Sequence, residues 1–193
     1  MRENENRKEN RRIKVTKMLL KNSFIQLLKS KDISKITIKE LCEHADINRS
    51  TFYAHFKDQY DLMDYIQTEL IDNIEYRLSP YLKRETSEAT KEMLTDIFDY
   101  IKENASICKI LLSERGDLLF QKRVLSLIYG KYIGDLREKR GISKEDADYV
   151  YAYTITGSIG VIQKWLHDDM KKSSEFMAKM LLEVTAIKES PEF

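Results

Sequence analysis

Glycine, proline and cysteine are all scarce in this chain of 193 residues. Its six Gly and two Pro make up about 4% of the residues, against a usual share of roughly 12%. Because tight turns depend on these two residue types, so few of them exclude the many short loops of an all-β or α/β fold. Hydrophobic residues, at 42%, are still numerous enough to form a core. The composition therefore predicts a mostly helical protein.

The two cysteines are too few for a disulfide framework, and they lack the CxxC spacing of zinc and redox sites. Cys42 and Cys108 both lie in apolar helical patterns, which predicts buried free thiols and no bound metal or cofactor. The N-terminal segment MRENENRKENRR is densely charged and lacks the apolar core that a signal peptide has. No apolar run approaches the roughly 18 residues of a membrane span. We expect a soluble, intracellular protein of the cytoplasm with no membrane partner.

Charge is distributed unevenly behind a net charge of only +1. Residues 1–60 contain 14 basic and 8 acidic residues, a net of +6, whereas residues 61–193 contain 19 and 24, a net of −5. A basic front end on an otherwise acidic chain indicates an anionic partner, either nucleic acid or a membrane surface. A solvated charged face is the alternative that charge alone leaves open.

An enzyme would need convergent nucleophilic, acidic or metal-binding groups, and the chain offers little for such a site. It has three His and two Cys, and no Gly-rich phosphate loop. The His-Asp-Asp run at 167–169 is typical of a solvated helix end. The sequence therefore predicts a protein that is not an enzyme.

Helix signals are densest in the first third of the chain. A helix is predicted from Arg11 to about Ser30, with its apolar residues at helical spacing. Thr37 and Glu40 fit a capping box, in which the hydroxyl accepts from the Glu40 amide and the carboxylate reaches back. Asn48 is a good N-cap for the next helix. The two short helices, 37–45 and 49–56, predict a helix-turn-helix packed on the first helix.

The segment ITIKELCEHADINRSTFYAHFKDQYDLMDYI (36–66) resembles the DNA-binding domain of the TetR family of transcriptional regulators. Its capping Thr, its Thr-Phe-Tyr-Ala-His-Phe core and the Lys-Asp that follows match the family pattern nearly position for position. The resemblance implies an all-α fold with a helix-turn-helix DNA-binding domain at 11–57, the motif itself at 37–56. A connecting helix at 58–79 and a C-terminal helical bundle at 80–190, which binds an effector and dimerises, would follow.

The resemblance also implies roles for individual side chains. Thr37 and Tyr53 would touch phosphates, and His55 and Lys57 would face the DNA backbone. Side chains at the start of the second helix would reach base edges, with Arg49 the best candidate for a bidentate contact to guanine. The predicted DNA-binding set is Thr37, Lys39, Arg49, Ser50, Thr51, Tyr53, His55 and Lys57.

Two positions depart from the family pattern. Asp46 stands where Gly is usual, but Asp tolerates a left-handed backbone, so we expect the turn to survive. Gln59 replaces a Lys that normally binds a phosphate. Lys57 or the basic N-terminal arm would compensate for the missing charge, the arm comprising Arg2, Arg7, Lys8, Arg11 and Arg12. The same loss leaves open an all-helical adaptor that binds a protein and not DNA.

Five amphipathic stretches are predicted beyond Pro80, at 88–104, 105–113, 117–140, 143–168 and 173–188. By the family resemblance the last two would pair two subunits in a four-helix interface, which implies a homodimer on a palindromic operator of double-stranded DNA. The predicted dimer residues are Gly157, Val161, Trp165, Phe176, Met177, Met180, Leu181 and Val184.

A small-molecule effector would bind inside the same bundle, and the protein would then be a repressor released by that effector. Aromatic residues could line its cavity or could simply be core: Tyr100, Phe120, Tyr129, Tyr132 and Tyr153. A protein partner in place of a small ligand, and activation in place of repression, remain open at this point.

Overall fold

The computed structural model describes residues 2–81, 83–84, 86–113, 116–140 and 143–185, except for the side chains of 2–8, 87, 131–140 and 185. Within these ranges the chain forms α-helices, two short 3-10 helices and no strand, so the predicted all-α fold is confirmed. The nine described helices are α1 Arg2–Leu28, α2 Ile38–Ala45, α3 Arg49–Tyr53, α4 Gln59–Leu78, α5 Ser87–Glu103, α6 Ala105–Leu111, α7 Leu118–Arg140, α8 Lys144–His167 and α9 Ser174–Thr185.

With one exception, the described helix boundaries fall within three residues of the predicted ones. The first helix begins at Arg2 and not at Arg11. Residues 2–10 contain no Gly, Pro or β-branched residue, so nothing in their sequence stops the helix from extending toward the N-terminus. Helix α3 ends at Tyr53, three residues before its predicted end at Phe56.

The chain divides into two compact units, Met1–Leu70 and Ile71–Phe193. In the first unit α1 packs against α2, and α2 packs against α3. Leu20 and Phe24 of α1 are fully buried, as their helical spacing predicts, and Leu41 and Phe52 complete the centre of this core. The small Ser23 on the same face of α1 is also buried. Burying a large apolar side chain stabilises the fold by about 1.5–3 kcal/mol, and this free energy holds these short helices in place.

The second unit pairs α5 with α9 and α7 with α8. Trp165 on α8 lies edge-on to Phe98 on α5, with ring centroids 5.1 Å apart, and its indole N–H donates to the Lys172 carbonyl over 3.0 Å. Between α7 and α8, the hydroxyl of Ser158 donates to that of Tyr129 over 2.9 Å. Aromatic stacking and paired polar groups therefore make up a specific core.

Three of the predicted dimer residues lie in this core. Trp165, Met177 and Leu181 are each only 3% exposed, because they pack inside the subunit where α5 meets α8 and α9. These three side chains therefore have little surface left to offer a partner subunit. Phe176 and Val184 remain accessible, at 46% and 58% exposure.

The predicted pocket residues differ in their exposure. Tyr100, Phe120 and Tyr129 are buried in the second unit. Tyr153 is 67% exposed, so it points outward and does not line an internal cavity. Tyr132 lies outside the described side chains.

Both cysteines are free and buried, as predicted. Burial raises the pKa of the Cys108 thiol to about 12, so this thiol stays protonated and unreactive at neutral pH. Across the described residues we find neither a cluster of His, Cys, Asp and Glu able to hold a metal nor a helix with the length and apolarity that crossing a membrane requires.

Candidate nucleic-acid interface

Helix α2 begins at the cap that the sequence predicts. The Thr37 hydroxyl accepts the Glu40 N–H over 3.2 Å, which is the first half of a capping box. The second half is absent from this pair, because the Glu40 carboxylate forms an ion pair with Lys31 at the end of α1. Helix α2 is therefore fixed both at its cap and to the preceding helix.

The turn between α2 and α3 depends on a left-handed residue. Asp46 has φ 54° and ψ 46°, a conformation that glycine adopts easily and that Asp tolerates better than most residues. The Ile47 N–H bonds back to the Cys42 carbonyl over 2.9 Å and closes the end of α2. The turn therefore survives without the glycine of the family pattern.

Asn48 caps the recognition helix as predicted. Its side-chain oxygen accepts the Ser50 N–H over 3.1 Å and lies 3.2 Å from the Ser50 hydroxyl, which also donates to it. The N–H and the hydroxyl proton of Ser50 are therefore both engaged within the protein, which leaves only the lone pairs of its hydroxyl free to accept. Thr51 beside it is half-buried, so Arg49 is the least encumbered of the three predicted base-reading residues.

The recognition helix buries one side and exposes the other. Phe52 is fully buried, whereas Tyr53, the next residue, is 59% exposed and lies edge-on to the Phe52 ring at 5.5 Å. After the helix ends, the Phe56 N–H still bonds to the Phe52 carbonyl over 2.9 Å. His55 in this turn is half-buried, and Lys57 after it is exposed.

An open cleft of about 380 Å³ lies where α2 meets α3. Lys39 and Arg49 both line it, so the structure brings these two predicted DNA-binding residues together. Glu43 lies in the same cleft, with its carboxylate 3.9 Å from the Lys39 ammonium. Burial raises the pKa of the Cys42 thiol at this cleft, which makes the thiol an unreactive part of the wall.

The start of α4 has a cap that follows directly on the recognition helix. Asp58 accepts the N–H groups of Tyr60 and Asp61 over 2.8 and 2.9 Å, as expected for an N-cap. Asp61 in turn accepts the Lys57 N–H over 2.9 Å, a contact that we did not predict. The signal was present, because an acidic residue three positions after an N-cap is the pattern of a capping box.

The geometry defines a class of protein. Two short helices joined by a tight turn, the second with a buried aromatic side and a polar exposed side, form a helix-turn-helix. Residues 25–66 match the family described as bacterial regulatory proteins, tetR family, and residues 88–186 match the family described as transcriptional regulator C-terminal region. The chain belongs to the TetR family of transcriptional regulators, which confirms the resemblance.

Individual relatives agree with this assignment. An uncharacterized HTH-type transcriptional regulator, YxbF of Bacillus subtilis (strain 168), is 23% identical over 88% of this chain, which spans 44% of that relative's length. The structure of a TetR transcriptional regulator from Streptococcus agalactiae 2603V is 26% identical, with a TM-score of 0.66 over 92% of this chain and 97% of that one. The transcriptional regulator FadR from Bacillus subtilis, in complex with stearoyl-CoA, shares the fold at 14% identity and a TM-score of 0.65, over 88% of this chain and 97% of that chain.

Proposed function

We propose that this protein is a sequence-specific repressor that binds a palindromic operator as a cytoplasmic homodimer and is released by a small-molecule effector. The observation that carries the DNA-binding part is the exposed start of α3 on a buried anchor. Arg49 and Ser50 are accessible at the helix N-terminus, while Phe52 holds the helix to the core. A helix with this geometry fits the major groove with its first residues toward the base edges.

The other exposed polar groups suit the sugar-phosphate backbone. Tyr53 is the last residue of α3 and Lys57 follows four residues later, and Thr37 and Lys39 lie at the start of α2; all four are exposed. Hydroxyl and ammonium contacts to phosphates fix the position of a protein on the duplex without reading its sequence. The net charge of +6 over residues 1–60 favours the same partner.

Selection from a random pool of DNA duplexes tests this proposal. We expect enrichment of a palindromic sequence, with an affinity that falls steeply as salt rises because bound cations are released from the DNA. Failure to enrich any sequence, together with no binding at low salt, would favour an adaptor that binds protein.

Lys57→Ala is expected to weaken binding to selected and random duplexes by the same factor. The slope of log K against log salt should become shallower by about 1.8 for the dimer, because each of the two lost phosphate contacts contributes about 0.9. Lys179→Ala is the matched control, because Lys179 is a similarly exposed lysine on α9 of the second unit. A loss confined to the selected sequence would contradict the assignment of Lys57 to a phosphate.

The homodimer is proposed from the accessible apolar residues of α8 and α9. Phe176 and Val184 expose large apolar side chains on α9, and the exposed Gly157 of α8 allows close approach of another helix. Val161 and Met180 are half-buried on the same two helices. Two such helices from each subunit would form a four-helix interface and set two recognition helices about 34–36 Å apart.

Val184→Glu is expected to convert the protein from dimer to monomer in light scattering at micromolar concentration. A charge at the interface would lose its hydration without gaining a partner. Leu119→Glu is the control, since Leu119 is also an exposed apolar residue, at 77%, but lies on α7. A Val184→Glu protein that remains a dimer would place the interface elsewhere.

The effector site is proposed among the buried aromatic residues of the second unit, Tyr100, Phe120 and Tyr129. FadR from Bacillus subtilis, which shares this fold, was solved with stearoyl-CoA. An acyl-CoA is therefore the first compound to add in an operator-release assay.

A further inference from the structure

Helix α3 is too short to define its own position. It has five residues, and an isolated helix of this length is not stable in water. Its orientation must therefore come from the side chains that hold it, and any error in that orientation moves Arg49 and Tyr53 together.

A row of aromatic rings runs from the recognition helix to α4. Phe52 and Phe56 have centroids 5.8 Å apart, and Phe56 and Tyr65 have centroids 5.5 Å apart. The Tyr53 ring lies edge-on to Phe52, with ring centroids 5.5 Å apart. The rings therefore connect the exposed DNA-facing residue Tyr53 to Tyr65, a residue on the second turn of α4.

Lys17 of α1 lies over the last two rings of this row, Phe56 and Tyr65. Its ammonium nitrogen lies 4.5 Å from the centre of the Tyr65 ring and 5.6 Å from that of Phe56, within the range of cation–π attraction. One turn further along both helices, Lys21 pairs with Glu69 over 2.6 Å. Tyr65 is half-buried, and its burial raises the pKa of its hydroxyl. Cation–π contacts are stronger where the ring and the cation are partly removed from water.

We propose that Lys17 is a positioning residue for DNA recognition, which holds the recognition helix in its binding orientation through the Phe56 and Tyr65 rings. This inference rests on the proposed DNA-binding function. Lys17 is half-buried, and its charge is directed at rings of its own unit. It acts on DNA through Phe56, and makes no phosphate contact of its own.

The test compares Lys17→Met with the wild-type protein on the selected operator over a range of salt concentrations. Methionine keeps the length and the apolar stem of the side chain but removes the cation. We expect about fivefold to tenfold weaker binding at every salt concentration, with an unchanged salt slope. Lys17→Arg, which restores a cation over the rings, should recover affinity to within about twofold.

Two further variants separate positioning from a general loss of stability. In a Tyr65→Leu background the nearer of the two rings is gone and only the Phe56 ring, 5.6 Å from the ammonium, remains. Lys17→Met should therefore cause a much smaller additional loss of affinity in that background than in the wild-type protein. Lys29→Met is the control for removal of an exposed positive charge just past the end of α1. Circular dichroism at the assay temperature establishes that each protein is folded, and Lys17→Gln replaces Lys17→Met if the latter is not.

The outcomes are distinct. A salt slope that becomes shallower by about 1.8 in Lys17→Met, about 0.9 for each subunit of the dimer, would show a direct phosphate contact and overturn the positioning role. Equal losses from Lys17→Met with and without Tyr65, or no loss at all, would overturn it as well. A wild-type protein that binds no DNA would instead overturn the proposed function.

Discussion

Replacing Trp165 with alanine is expected to lower the free energy of unfolding of the second unit by about 3–5 kcal/mol. Trp165 is 3% exposed, stacks edge-on against Phe98 and donates its indole N–H to a backbone carbonyl. Alanine would leave a large cavity between α5 and α8 and would remove both specific contacts. The melting temperature should fall by roughly 10–20 °C.

Thermal unfolding followed by circular dichroism measures this effect, with light scattering on the same samples. Val184→Ala is the control, because Val184 is 58% exposed and its truncation should change stability by less than about 1 kcal/mol. If Trp165→Ala melted like the wild-type protein but became monomeric, Trp165 would lie at the subunit interface, as its sequence position alone had led us to predict.

The first third of the chain was predictable because its signals are local. Thr37, Asn48 and Asp58 each cap the helix that was predicted to start beside them, and each cap bonds to an amide two or three residues away. Local hydrogen bonds of this kind can be inferred from a short stretch of sequence. The left-handed Asp46 was foreseeable for the same reason.

The sequence could not tell which of the predicted dimer residues on α8 and α9 are buried within the subunit, because spacing identifies an apolar face but not what covers it. Met177 and Val184 are seven residues apart on α9 and share one face, yet Met177 is 3% and Val184 is 58% exposed. The difference depends on how far the neighbouring α5 extends along α9, which is a tertiary property. For the same reason Lys17 could not be identified, since its aromatic partners lie about 40 to 50 residues away in the chain.

Arg49→Ala is expected to relax the base preference at one position of each operator half-site. The affinity for the selected operator should fall by about 1–3 kcal/mol for each such contact, the usual worth of a bidentate arginine–guanine pair. Arg49 begins the recognition helix and is exposed, whereas the neighbouring Ser50 hydroxyl is bonded to Asn48. Repeating the selection from random duplexes with the variant measures the change position by position.

Comparison with Lys57→Ala distinguishes base reading by Arg49 from a simple loss of positive charge. Both substitutions remove one positive charge near the DNA, so both should weaken nonspecific binding slightly, but only Arg49→Ala should alter which sequence is enriched. If the enriched sequence stayed the same and only the salt slope changed, Arg49 would be a phosphate contact. Base reading would then fall to Thr51 and to the unengaged lone pairs of the Ser50 hydroxyl, because these are the remaining predicted base-reading groups at the start of α3.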